Sequence, residues 1–222
     1  MDRKITIPGE LSLAAGLLLI SLAIPLMVRA DFGISTISSL PFVLSNVFDG
    51  MSFGVWNLIF QTCLLIILVA ITGRFKTGYL ISFVLTVAFG SILDIFSGIL
   101  SGLPTDLGLR LLYFAASYLM MCLAIAMMVS SRVPLIIIDA FINDLTAHYH
   151  VTFRRLKTLF DVICLSLSVA ISIVVFGDLV GVGIGTILLA FITGSGVHAA
   201  NRLMSRAIVI KPWSETLGNM AK

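Results

Sequence analysis

Charge is what this sequence lacks. Asp, Glu, Lys and Arg make up only 11% of its 222 residues, whereas a soluble domain of this size carries roughly a quarter to cover its surface. Such a chain is not built for water. Cysteine is nearly as scarce: Cys63, Cys122 and Cys164 lie inside apolar stretches, and no CxxC or Cys/His cluster accompanies them. That excludes a disulfide framework and a metal site, and leaves three small apolar packing residues. HExxH, paired catalytic carboxylates and a Ser/His/Asp arrangement are also missing, so the chain does not read as an enzyme.

Apolar sequence fills the space instead. The hydrophobic share is 59% and the mean hydropathy +1.13. Runs long enough to cross a hydrocarbon core of about 30 Å cover Leu11 to Val28, Gly54 to Thr72, Tyr79 to Leu100, Arg110 to Val129, Leu159 to Phe176 and Val180 to Ala200. Two further segments, Gly33 to Phe48 and Val133 to Tyr149, have helical character but are shorter and broken by polar residues and proline. The first run follows Arg3 and Lys4 as a signal peptide would; with no small-residue cleavage site behind it, it is expected to be retained.

The positive residues orient the spans. With a cytoplasmic amino terminus, only Arg29 and Arg110 of the 14 Lys and Arg residues fall outside. Both termini are therefore expected in the cytoplasm of a bacterial cell, with the spans in its cytoplasmic (inner) membrane. The net charge of +3 is explained by this bias and calls for no nucleic-acid partner.

An internal repeat organises the chain. An offset of 100 residues sets Ala15 on Ala115, Leu19 on Leu119, Met27 on Met127, Phe53 on Phe153 and Phe60 on Phe160, and Val69-Ala70-Ile71 on Val169-Ala170-Ile171. After a four-residue insertion near Gly181, Phe89-Gly90-Ser91 falls on Thr193-Gly194-Ser195 and Asp94 on His198. Each half reads as span, short polar helix, span, span. An odd number of crossings inverts the second half. The expected fold is thus an all-α membrane protein of six transmembrane helices in two inverted-topology repeats, each with a broken or re-entrant half-helix. Repeat one covers residues 11–100 with its half-helix at 33–48, and repeat two covers 110–200 with its half-helix at 133–149. A cytoplasmic stretch 1–10, an external linker 101–109 and a cytoplasmic tail 201–222 complete the chain.

The stretch Arg29-Ala30-Asp31-Phe32-Gly33-Ile34-Ser35, followed by a short helix and Phe53-Gly54, resembles the YczE/YitT-like bacterial membrane proteins. Phe89-Gly90-Ser91-Ile92-Leu93-Asp94 and Gly181-Val182-Gly183-Ile184-Gly185-Thr186 extend the resemblance from about Leu11 to Asn201. That family is largely uncharacterised, and the resemblance implies six spans without a substrate.

Inverted repeats with interrupted helices at matching places are a construction of secondary transporters, whose solute sites lie near the midplane. A half-helix starting at membrane depth exposes backbone N–H groups and a positive dipole end, suited to a small anion or a carboxylate. Interfacial connectors are the bland alternative. The candidate solute ligands are Ser35, Ser38 and Ser39 on the first half-helix and Asp139 and Asn143 on the second, behind Pro134. Asn57 and Gln61 stand deep in span two, as solute contacts or interhelical glue. Ionisable residues within spans need a reason; Asp94, His198, Asp161 and Arg29 are the coupling or gate candidates. Asp161 follows Lys157 by one turn, which also fits a helix-surface ion pair. The glycines from Gly181 to Gly185 permit close helix packing, and without a P-loop lysine they are a poor phosphate loop.

The expected function is transport of a small polar, anionic or zwitterionic solute by alternating access, with proton coupling through Asp94, His198 or Asp139. A substrate-binding subunit of a larger importer and a channel are the alternatives. No cofactor is called for; the expected partners are the bilayer, the solute and, given how little surface six spans enclose, a second copy of the chain.

Overall fold

A computed structural model describes residues 5–131 and 136–211. Its eight helices, among the described residues, are α1 (Gly9–Ala30), α2 (Thr36–Val47), α3 (Phe53–Thr72), α4 (Gly78–Leu100), α5 (Leu107–Ser130), α6 (Ile137–Tyr149), α7 (Phe153–Phe176) and α8 (Ile184–Ala207). All but α2 and α6 are long and apolar enough to cross a membrane. The fold is all-α as expected, with one small addition: β1 (Ile5–Pro8) and β2 (Ile208–Lys211) pair in parallel, with Ile5 opposite Ile208. Backbone leaving the two helices pairs with itself instead of fraying, and this places the start of α1 and the end of α8 at one end of the bundle.

Local chemistry sets the boundaries. Asp31, Gly73, His150 and Gly177 take left-handed conformations that stop α1, α3, α6 and α7, and the Ser52 hydroxyl caps α3 by accepting from the Val55 N–H at 3.2 Å. The fifth span starts six residues earlier than hydropathy placed it, since Arg154, Arg155 and Lys157 occupy the first turns of α7. Conversely, residues 180–183 are loop before α8, turned by Gly181 at φ +70°.

The centre is an antiparallel pair, α1 against α5. The Ser12 hydroxyl donates to the Met127 carbonyl at 2.9 Å, and Gly16 lets α1 approach the Ala124 carbonyl and the Met128 side chain. Around it, α4 packs on α1 and α8 on α5, while α2 packs on α7 and α3, and α6 on α3 and α7. Helices α3 and α4 also pack on each other. One apolar cluster, including Leu13, Met27, Phe89 and Met121, surrounds α1, and a second joins Leu64, Leu68, Ile138 and Phe141 with Phe60 and Phe160.

Both short helices begin inside the bundle. Residues 31–35 turn back from the end of α1 without helical structure, and two of their backbone groups are met by the glycine-rich lead-in to α8: Ile34 N–H donates to the Gly181 carbonyl at 3.0 Å and Gly185 N–H to the Phe32 carbonyl at 2.7 Å. The expected half-helix over 33–48 is therefore shorter, with Gly33 (φ +105°) and Ile34 serving as the inward lead. Helix α2 then starts beside Asp161, eight residues along α7, which is roughly 12 Å from that helix's end. It leaves the bundle where Phe48 stacks on Trp56 at 5.3 Å. Helix α6 mirrors this course: Ile137 N–H donates at 3.4 Å to the hydroxyl of Thr86, eight residues into α4, and Asp144 returns to Tyr79 and Lys76 at the start of α4. Residues 133–135 of the expected second half-helix, Pro134 among them, lie outside the described residues.

A Cβ at Gly33 would meet Thr186 and the Gly183 backbone, and one at Gly54 would overlap the Gly90 carbonyl, whereas Gly98 faces open space. Thermal melts in detergent should show Gly33→Ala and Gly54→Ala each less stable by about 1–3 kcal/mol. Gly98→Ala, within α4, should be neutral or stabilised by up to about 1 kcal/mol.

Candidate functional site: a polar cluster between two half-helices

The helices that enclose α2 and α6 turn polar faces inward. On α7 the buried positions are Cys164, Ser168 and Ser172, one turn apart; on α3 they include Asn57 and Gln61, and on α4 Ser82 and Thr86. Lipid cannot solvate such groups, so they find each other.

Around α2 the contacts are dense. Ser35 stands at the N-cap and its hydroxyl meets that of Ser38 at 3.0 Å. Ser39, wholly buried, donates to the Thr36 carbonyl and lies 2.8 Å from the Ser168 hydroxyl of α7. Thr36 in turn donates to the Asp161 carboxylate at 3.0 Å, and Lys157 grips the same carboxylate at 2.7 and 2.9 Å. The expected pair with Lys157 is thus present, but it faces the first turn of α2. The positive dipole end of α2 stabilises the carboxylate there.

Around α6 the arrangement is parallel. Gln61 donates to the Asn57 carbonyl at 2.6 Å, Thr86 donates to the Gln61 carbonyl at 3.2 Å, and Thr86 receives the Ile137 N–H. Gln61 thus joins α3 to α4 through Thr86, and Asn57 supports Gln61 from within α3. Asp139 occupies the first turn of α6 and is half-buried. Asn143, one turn on, is exposed and is not brought to the cluster.

The remaining candidates lie elsewhere. Asp94 spans the α3–α4 contact: it accepts from Gly54 N–H at 2.7 Å and from the Ser52 hydroxyl. Its repeat mate His198 is exposed on α8. Arg29 donates to the Leu103 carbonyl, and Arg110 to Ala30 and Asp31. These guanidinium groups line a cavity of about 470 Å³ over Phe42 and Phe53, and a second of about 360 Å³ opens between Arg74, Lys76 and His148 at the other end. Neither is lined by Asp139 or Asp161. Among the described residues no group of His, Cys, Asp and Glu has the form of a metal site.

Sequence reasoning missed Thr36, Thr86 and Ser168, and treated Lys157 only as a surface partner. The recurrence of Cys164, Ser168 and Ser172 at intervals of four was a readable signal of a polar helix face. For Thr36 and Thr86 no sequence signal existed, since their roles depend on elements distant in the chain.

A family model described as a family of unknown function, DUF6198, matches residues 8–202. The chain belongs to the DUF6198 family. No curated protein matches this DUF6198 chain. No solved structure matches it either.

In this DUF6198 protein a double-mutant cycle on Ser39→Ala and Ser168→Ala should give a coupling of about 0.6 kcal/mol, and no more than about 1.7, the range of interhelical hydrogen bonds in membranes. Asn143→Ala, outside the cluster, should leave the melting temperature unchanged.

Proposed function

We propose that this protein is a small secondary transporter of a small polar, anionic or zwitterionic solute, working by alternating access between two inverted repeats. The observation that carries the reading is the start of both short helices inside the bundle, against Asp161 on one side and Thr86 on the other. Two positive helix ends within a shell of hydroxyls, amides, two carboxylates and one ammonium offer partners to both ends of a zwitterion. Lys157 and the first turns of α2 and α6 would meet its carboxylate, and Asp139 its cationic group.

Matched helix pairs support the repeat. Counting α5 to α8 as the mates of α1 to α4, the contact of α1 with α4 corresponds to that of α5 with α8, α2 with α7 to α6 with α3, and α2 with α3 to α6 with α7. The mates Phe60 and Phe160 stack on each other with centroids 6.3 Å apart, as residues beside a two-fold axis do. The resemblance to YczE/YitT-like proteins and the positive-residue bias support a bacterial cytoplasmic membrane with both termini inside, and a homodimer belongs to the same reading.

The direct test is uptake into liposomes holding only this protein, surveyed over small amino acids and carboxylates with and without a pH gradient. Flux of at least one solute, raised by the gradient, is expected; none under any gradient would favour a subunit that needs a partner, and conductance of channel magnitude would favour a pore. With Asp139 as the coupling carboxylate, solute binding is expected to change with pH. Asp139→Asn should abolish that dependence and weaken binding at least tenfold; unchanged binding would remove Asp139 from the site.

A further inference from the structure

Helices α3 and α4 are locked together by three residues on one turn of each. Gly54 and Gly90 let the two backbones touch, and Asp94 receives the Gly54 N–H and the Ser52 hydroxyl, closing the start of α3. Deprived of Asp94, the first turn of α3 would leave the Gly54 N–H without its partner.

The second half carries the components of an equivalent lock. The repeat offsets set Thr152 on Ser52, Gly194 on Gly90 and His198 on Asp94. Thr152 holds the N-cap position of α7, as Ser52 does for α3, though its side chain makes no capping bond. Yet the lock is open. A Cβ on Gly194 would meet nothing within 4 Å, and His198 is exposed. Helix α8 packs instead through its other side on α5, where Tyr118 donates to the Ile192 carbonyl at 3.1 Å and Gly196 faces Tyr118 and Cys122. No α7–α8 contact comparable to that of α3 with α4 is present among the described residues.

We infer that Gly194 and His198 form a second latch, which closes α8 onto the first turn of α7 when the Asp94 latch on α3 releases. This rests on the transporter reading and identifies its moving contact. A neutral imidazole nitrogen accepts the backbone N–H at the start of α7 in the role that Asp94 plays toward Gly54, and Gly194 leaves room for the approach. Arg154 stands where the first latch has Gly54, so its Cβ keeps the α8 backbone from the approach that Gly54 allows Gly90, and the second contact is the looser of the two, bridged by the longer imidazole. Because Lys157 and Asp161 lie near the start of α7 and are only half-buried, closing α8 over that end of α7 reduces their remaining exposure. One latch closed and one open is the asymmetry that alternating access between two similar halves requires.

The test uses full-length protein in native membranes with Cys63, Cys122 and Cys164 replaced by Ala, carrying Ser52→Cys with Asp94→Cys, Thr152→Cys with His198→Cys, or both pairs. Each pair alone should form an oxidative cross-link, and prior locking of the first should reduce cross-linking of the second at least tenfold. Since Asp94→Cys itself removes a latch, a second measurement keeps Asp94: spin labels at Arg155→Cys and Arg202→Cys should move closer when His198→Asp copies the first latch. A second pair that never cross-links while the first does, both pairs linked in one molecule, or a spin-label distance unmoved by His198→Asp would each overturn the inference. Exclusive cross-linking in a protein that carries no solute would overturn the transport reading and leave the latch standing. Solute flux without exclusive cross-linking would do the reverse.

Discussion

A backbone that turns back inside a membrane must find partners for its N–H and C=O groups, because lipid provides none. The segment from Phe32 to Ile34 meets that demand through two hydrogen bonds to the lead-in of α8, at the Gly181 carbonyl and the Gly185 N–H. Glycine is required on both sides: Gly33 takes a positive φ, and any side chain on Gly183 or Gly185 would strike the Phe32 carbonyl. From this contact follows the placement of α2, since a segment held at that depth delivers Thr36 to Asp161 and Ser39 to Ser168.

The interior that results is polar in a protein that is apolar outside. Large side chains such as Val174, Ile184 and Phe191 are exposed, while Ser39, Asn57, Gln61, Thr86, Ser168 and Ser172 are closed in. Interhelical hydrogen bonds between small polar residues are worth little individually. Their combined effect is positional, holding two helix N-termini inside the bundle where an ordinary span has none. The cluster is charged as well as polar, since Lys157 grips the Asp161 carboxylate beside the first turn of α2.

Much of this was legible in the residues. The six spans follow from apolar runs of nearly the right length, and the two short helices from the Ser, Thr, Asn, Asp and Pro that interrupt them. The errors are informative. The start of α7 was set too late because Arg154, Arg155 and Lys157 depress hydropathy without breaking a helix. The paired strands at the two ends went unseen because four residues of Ile-Thr-Ile-Pro carry a β pattern only once Ile208 to Lys211 lies beside them. Asn57 and Gln61 stood out as polar residues in apolar sequence, but whether they faced solute or each other depended on Thr86, a residue of a different helix.

The sequence by itself determined the kind of solvent this protein folds in, the number of its spans and the two places where a span is cut short, because each is a property of composition and local period. Only the tertiary structure decided which polar residues meet. Asp161, which the spacing to Lys157 suggested for a helix surface, faces a half-helix, and Asn143, a candidate solute ligand, faces outward, since a helix face acquires meaning only from what packs against it. The difference between Asp94 and His198 is of the same origin: one meets the start of its neighbouring helix and the other does not, and no reading of two matching positions in a chain contains that distance.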